Sequence, residues 1–326
     1  MRISKKIVNR NFYHFDKNYG FWGIPNVNRL IDYPEYGKKV TIFHDAEGNR
    51  TTDPDEKLLK ATTKPILFLG GSHTWGAGVE NSETYPALIQ QLTGLDCLNY
   101  GHCSFGLDQM ALVALRKMRV IKPQAVVIEL HPWVIHRVLR KTALGFPKPY
   151  FFLEDHNLKL RKINQVSLLP IIRYLISNYL NFDKQYKEFV SKIDLGDTST
   201  HPLNDPLFKI WNQNYYSYLY ELLEKIIVTI RDEAAINSIQ LIFVLGPTKQ
   251  ELMAKKRKIG LVNPAMPRRR VKAILEANSV NFIDMYPNFE ALKGSSDNGM
   301  FMDGHINNYG HEIFANRIYE RGLTNA

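Results

Sequence analysis

Short apolar runs alternate along the chain with longer stretches whose apolar residues recur at helical spacing. Five of these runs, at 65–69, 96–99, 125–130, 240–245 and 281–284, have the composition of strands buried on both faces. Between the first two, Ser82 is placed to cap a helix that runs through Leu92 and stops at Gly94, with Pro86 tolerated in its first turn. Before the fourth, Asp205-Pro206 reads as a cap followed by proline at the first helical position, and apolar and aromatic residues continue towards Ile230. Strands that alternate with helices predict right-handed crossovers and a parallel sheet covered on both faces. The expected fold class is α/β: a three-layer α/β/α domain around a central, mostly parallel five-stranded sheet.

Two segments depart from this rhythm. Residues 138–200 separate the third strand from the long helix and form an insertion, an appendage or lid; within it, 149–160 reads as a hairpin turning at Glu154 to Asn157. Residues 1–60 are polar, with turn signals at Gly23-Ile24-Pro25 and Glu47-Gly48, and are expected to wrap the core as irregular structure. The chain therefore divides into an N-terminal wrap (1–60) and one α/β/α domain (61–326) carrying the insertion.

Composition narrows the class. The 326 residues carry 42 basic and 32 acidic side chains, a formal charge of +10, and are 44% apolar, which excludes collagen-like, disordered and disulfide-scaffold proteins. Cys97 and Cys103 are the two cysteines, without CxxC or HExxH spacing, so they are expected as buried free thiols, and no metal or cofactor is assigned. The N-terminus has no continuous apolar core of a signal peptide, and no window approaches the ~18–20 apolar residues of a membrane span, so a cytoplasmic location without a transmembrane segment is expected. Residues 254–272 hold eight basic and no acidic side chains, either a solvated loop or a device that draws in an anionic substrate. No nucleic-acid-binding module accompanies this charge, and no nucleic acid partner is expected.

In doubly wound sheets, ligands bind beyond the carboxyl ends of the strands. The first strand runs into Gly70-Gly71-Ser72-His73-Thr74-Trp75-Gly76, whose paired glycines allow a sharp turn with a hydroxyl at a helix entrance. Near the other end, Phe301-Met302-Asp303-Gly304-His305-Ile306-Asn307 sets a carboxylate two residues from an imidazole. A nucleophilic serine needs such a pair, because its hydroxyl must lose a proton as it attacks and the carboxylate must orient the imidazolium that results. The plain alternatives are a serine cap for the first motif, and loop and capping residues for the second.

Read together, these loops resemble the SGNH (GDSL-type) hydrolase superfamily. Residues 67–85 resemble its first block with Ser72 at the nucleophile position and Gly71 replacing the usual aspartate, residues 99–109 its second, Val126 to Val134 its third, and Asp303, His305, Asn307 and Gly310 its last. The hairpin segment 149–160 is similar to one in some bacterial members. The resemblance implies a flavodoxin-like sheet, Ser72 as nucleophile, His305 as general base and Asp303 as the orienting carboxylate, in a DxH spacing familiar from acetyltransferase-like relatives acting on polysaccharides. It implies an oxyanion hole from the Ser72 N–H and a second-block N–H, at Ser104 or nearby Gly106. The family's third donor, an asparagine amide, is replaced by Trp133. His131 and His102 are the substitute donors, against a plain role as structural loop histidines, and Trp133 with His131 would face a sugar-like substrate. The implied activity is cofactor-free hydrolysis or transfer of an acyl ester, favouring O-acetyl groups on glycans or related small molecules. The rival is a non-catalytic binding or scaffold protein with the same fold.

Overall fold

The computed structural model describes residues 12–51, 64–163, 217–253, 264–292, 299–302 and 304–323. Its centre is a five-stranded sheet of β1 (Ile66–Gly70), β2 (Cys97–Gly101), β3 (Ala125–Leu130), β4 (Gln240–Leu245) and β5 (Phe282–Asp284), in the spatial order β5-β4-β3-β1-β2 and parallel throughout. The five expected runs are these five strands, each within two residues at either end. Period-two alternation sends Leu67, Leu69, Val126, Ile128, Phe243 and Leu245 into one core and Ile66, Phe68, Ala125, Val127, Ile242 and Val244 into the other. Both faces are dry, which is why the strands read as continuous apolar runs. Burying each such side chain contributes about 1.5–3 kcal/mol.

The helices, in chain order, are α1 (Ser72–Trp75), α2 (Tyr85–Thr93), α3 (Leu107–Ile121), α4 (Pro132–Arg137), α5 (Ser217–Ile236), α6 (Lys249–Met253), α7 (Met266–Ala277), α8 (Tyr286–Ala291) and α9 (Asn308–Ile318). Helices α3, α5 and α7 cover the first face, and α2, α8 and α9 the second. The chain leaving β1 thus crosses to one face and the chain leaving β3 to the other. Their carboxyl ends open on a topological switch point, where doubly wound sheets bind ligands.

Local chemistry adjusts some expected ends. Helix α2 is capped by Thr84, whose hydroxyl accepts the Ala87 N–H at 3.4 Å, because Ser82 is held in a 3-10 turn closed by Glu80 and Glu83. Gly94 ends α2 in the left-handed region as expected. Helix α5 continues past Ile230 to Ile236, while its expected cap at Asp205-Pro206 lies outside the described residues. The insertion is described to residue 163, and its hairpin pairs Tyr150–Glu154 with Asn157–Arg161 about the expected turn.

The expectation for the N-terminal residues is corrected. Instead of irregular structure, the described part forms two antiparallel hairpins, Tyr13–Asp16 with Gly20–Gly23 and Asn28–Tyr33 with Lys38–Phe43. The Asp16 carboxylate accepts the N–H groups of Asn18 and Tyr19 to close the first turn, and Val40 and Ile42 turn inward while Lys39 stays exposed. These strands are too short, and alternate over too few positions, to stand out against a polar background.

Several histidines are buried where protonation is costly. The His44 Nδ1–H donates to the Ile24 carbonyl at 3.0 Å and Nε2 accepts from the Trp75 indole at 3.3 Å, which defines a neutral ring. Burial pushes its pKa down to about 4, that of His136 down to about 3, and those of His102 and His311 well below the usual value. The unfolded chain protonates these sites near pH 6.5 and the native chain does so far lower, so the stability they contribute is complete above pH ~6.5 and is lost as pH falls towards 4, at about 1.4 kcal/mol per pH unit per site. Urea unfolding should show a midpoint that drops steeply from pH 7 to pH 5. A midpoint constant over that range would contradict neutral burial of these rings.

Candidate active site

Strand β1 ends in Gly70, and after Gly71 the chain turns directly into α1 with Ser72 as its first residue. A Cβ at Gly70 would lie 1.7 Å from Thr74 Oγ1, so no larger residue lets the turn close this tightly. The far end of α1 is held by Arg50, from the N-terminal segment. Its guanidinium donates to the carbonyls of Trp75, Gly76 and Val79 and to Asn81 Oδ1, and lies 4.9 Å from the Trp75 ring. Burial pulls the Arg50 pKa down to about 10, which leaves it cationic at neutral pH, aimed at helix-end carbonyls that favour positive charge.

Ser72 Oγ lies 3.0 Å from His305 Nε2. His305 stands in the two-residue strand His305–Ile306, paired with Phe301–Met302. Immediately afterwards Asn307 caps α9, its Oδ1 accepting the Gly310 N–H at 3.0 Å while its Nδ2 donates to the Gly299 carbonyl at 2.7 Å. The imidazole therefore projects from a segment pinned on both sides. Asp303 lies outside the described residues.

The second-block loop can be read by following its backbone N–H groups. The His102 N–H donates to the Gly70 carbonyl at 3.1 Å, Cys103 N–H to the Tyr13 hydroxyl at 2.9 Å, Phe105 N–H to the His102 carbonyl at 3.1 Å, and Gly106 N–H to Gln109 Oε1 at 3.2 Å. That leaves Ser104 N–H without a partner among the described residues, on a residue at φ 70°. The same holds for Ser72 N–H at the start of α1. Of the two second-block donors expected, Gly106 is revised, because its N–H is consumed by the cap of α3.

His131 and His102 are revised as well. His131 is 3% exposed and stacks on His73, with centroids 4.4 Å apart, behind the Ser72 turn. It presents no open face to a sugar. His102 is fully buried among Tyr13, Trp22 and Phe105. Burial holds both rings neutral, His131 with help from neighbouring His73 and Arg137. Trp133, in the first turn of α4, is half-buried and packs one side against the core. In the basic segment, residues 254–263 lie outside the described residues, and Arg268 is not a free cation: it is buried against Glu251 at 2.7 Å and Asp284 at 2.5 Å. Arg269 and Arg270 remain exposed.

Two residues escaped the sequence reading. Arg50 sits in a polar segment with no pattern to mark it. Arg137 donates to the Phe105 carbonyl at 3.0 Å and comes within 3.1 Å of the place a Gly71 Cβ would occupy, so it bridges the second-block loop and the Ser72 turn. Glycine at the position where the SGNH pattern carries aspartate leaves that corner to the guanidinium.

No protein-family model matches the chain, and no curated protein matches it. Solved structures similar to it include an alpha/beta hydrolase enzyme from the metagenome of Lake Arreo, Spain (12% identity, 79% of this chain and 94% of that one, TM-score 0.45). A member of the lipolytic protein G-D-S-L family from Veillonella parvula is similar at 13% identity over 80% of this chain and 99% of its own, TM-score 0.42. An acetyl xylan esterase is similar at 11% identity over 79% of this chain and all of its own (100%), TM-score 0.41.

The left-handed Ser104 yields a direct test. Because Ser104 holds a side chain at φ 70°, Ser104→Gly should relieve strain of about 1 kcal/mol and raise the thermal unfolding midpoint. Thermal unfolding of the variant checks this; a lowered midpoint would contradict it.

Proposed function

We propose that the chain is a serine-dependent acyl-ester hydrolase of the SGNH type, with O-acetyl groups on glycans or related small molecules as its favoured substrates. The 3.0 Å approach of Ser72 Oγ to His305 Nε2 at the carboxyl edge of the parallel sheet carries this reading. In it, the Ser72 hydroxyl donates its proton to His305 Nε2 as Oγ attacks the ester carbonyl. The N–H groups of Ser72 and Ser104 receive the developing oxyanion. His305 then protonates the departing alcohol, and the same steps with water release the acid and restore Ser72. An acceptor hydroxyl in place of water gives acyl transfer. Asp303, two residues before His305, is assigned the orientation of the imidazole. Exposed Arg269 and Arg270 would draw an anionic substrate by long-range attraction.

A second reading, a binding or scaffold protein, is favoured by Trp133, which stands where the SGNH pattern has a donor amide and whose one N–H lies at the far edge of its ring. Loss of one oxyanion donor costs about 10²- to 10³-fold in turnover. The exposed part of Trp133 is instead assigned as a wall against the apolar side of a sugar ring.

Turnover of a small acetyl ester and of an O-acetylated oligosaccharide tests both readings. Ser72→Ala should lower kcat on each by at least ~10³-fold while leaving the unfolding midpoint within a few degrees. Trp133→Asn should lower turnover of the oligosaccharide more than that of the small ester. Unchanged turnover in Ser72→Ala would overturn the hydrolase assignment, and a clear gain on the oligosaccharide in Trp133→Asn would identify the tryptophan as an obstruction.

A further inference from the structure

Behind the Ser72 turn, His73, Glu129 and His131 form a buried cluster that the proposed ester chemistry does not use. Glu129, near the carboxyl end of β3, is fully buried, and the two histidines are each 3% exposed. One ligand atom from each of the three lies within 4.8 Å of the others. His73 Nδ1 is 3.5 Å from Glu129 Oε1, beyond the 2.7–3.2 Å of a good N–H···O hydrogen bond. His73 Nδ1, both Glu129 oxygens and both His131 nitrogens have no hydrogen-bond partner among the described residues.

Five orphaned polar atoms in so small a volume are far outside normal practice for a protein interior, where buried polar groups are paired. A buried carboxylate is especially costly, since its charge has left water without a donor to replace it. The carboxylate is closely enclosed by backbone. A Cβ at Gly70 would come 3.2 Å from one Glu129 oxygen, and a Cβ at Gly246 would come 3.1 Å from the other. Only glycine fits at these two strand ends where they pass the carboxylate, and the Gly70 side is filled by Thr74.

We propose that His73, Glu129 and His131 bind one divalent transition-metal ion, with zinc the best match. Two imidazole nitrogens and a carboxylate oxygen are a common zinc donor set, with bonds of about 2.0–2.2 Å. The ion would neutralise Glu129 and occupy the atoms now unpaired. Binding requires the stacked His73 and His131 rings, with centroids 4.4 Å apart, to turn out of their stack so that both lone pairs meet the ion. The site ties the first turn of α1 to the end of β3 and the residue before α4. His73 follows Ser72 directly, and its ring centroid lies 5.7 Å from that of His305. The ion would therefore fix the turn that carries Ser72, and its binding is tested independently of the ester-hydrolase reading.

The test uses the full chain purified without a polyhistidine tag. Elemental analysis should find close to one zinc per chain, and after its removal by a chelator cobalt(II) should return in one equivalent with the visible absorption of a low-coordinate nitrogen and oxygen site. Zinc should also raise the unfolding midpoint of the stripped protein. Glu129→Gln and His131→Gln should each weaken cobalt binding by at least ~10²-fold, a loss at or above that for disturbing groups that only support metal ligands. Should a variant fail to fold, the wild-type measurements decide alone. No zinc on the purified chain together with no cobalt spectrum and no midpoint shift at excess metal would overturn the proposal. Undiminished binding in both folded variants would do so too, by locating the metal elsewhere.

Discussion

The contact between Ser72 Oγ and His305 Nε2 joins residues 233 positions apart, and the rest of the architecture can be understood as what it takes to hold it. A hydrogen bond of this kind adds on the order of 1 kcal/mol, far less than the entropy of ordering the two loops that make it. It persists because the loops are already fixed by other means. Ser72 is set by a glycine turn at the end of an inner strand that is buried on both faces, and His305 by a short strand pair followed by a capped helix. The parallel sheet brings the carboxyl end of β1 to the switch point, and α9 packs on the face that carries α2.

The N-terminal segment belongs to this machinery more than to a separate unit. Arg50 satisfies carbonyls at the end of α1 that the short helix cannot satisfy itself, and Tyr13 takes the N–H of Cys103. With the N–H groups of His102, Phe105 and Gly106 also bonded, Ser104 carries the one backbone N–H of residues 102–106 without a partner among the described residues. Directional groups around the candidate site are thus assigned one by one, and those left over among the described residues are informative: the N–H groups of Ser72 and Ser104, and the orphaned atoms of His73, Glu129 and His131.

Much of this was legible in the sequence, for physical reasons. Strands covered on both faces are mostly apolar, so all five appear as runs. Glycine is required where Gly70 passes Thr74 and where Gly94 ends α2, and these mark the motif and the helix stop. Ser72 and His305 could be paired because proton transfer restricts which residue types can serve. The N-terminal hairpins were hidden because their strands run only four to six residues without a regular alternation, Gly20–Gly23 being buried throughout and most of Asn28–Tyr33 exposed. The cap at Thr84 was missed because Ser82 has equal chemistry and only the 3-10 turn decides between them. The spending of Gly106 N–H on Gln109, the burial of His131 and the pairing of Arg268 with Glu251 and Asp284 depend on tertiary contacts between distant segments, which periodicity does not encode. Glu129 did carry a signal, a single acidic residue inside Ala-Val-Val-Ile-Glu-Leu, where a charge has no solvent to reach.

The central claim is that Ser72 is a nucleophile made reactive by His305. Labelling the intact protein with a fluorophosphonate, followed by mass spectrometry of its peptides, tests this without knowledge of the natural ester. The account predicts one adduct, located on Ser72 and lost in His305→Ala. An adduct on another serine, or no adduct on folded protein at excess reagent, would contradict it.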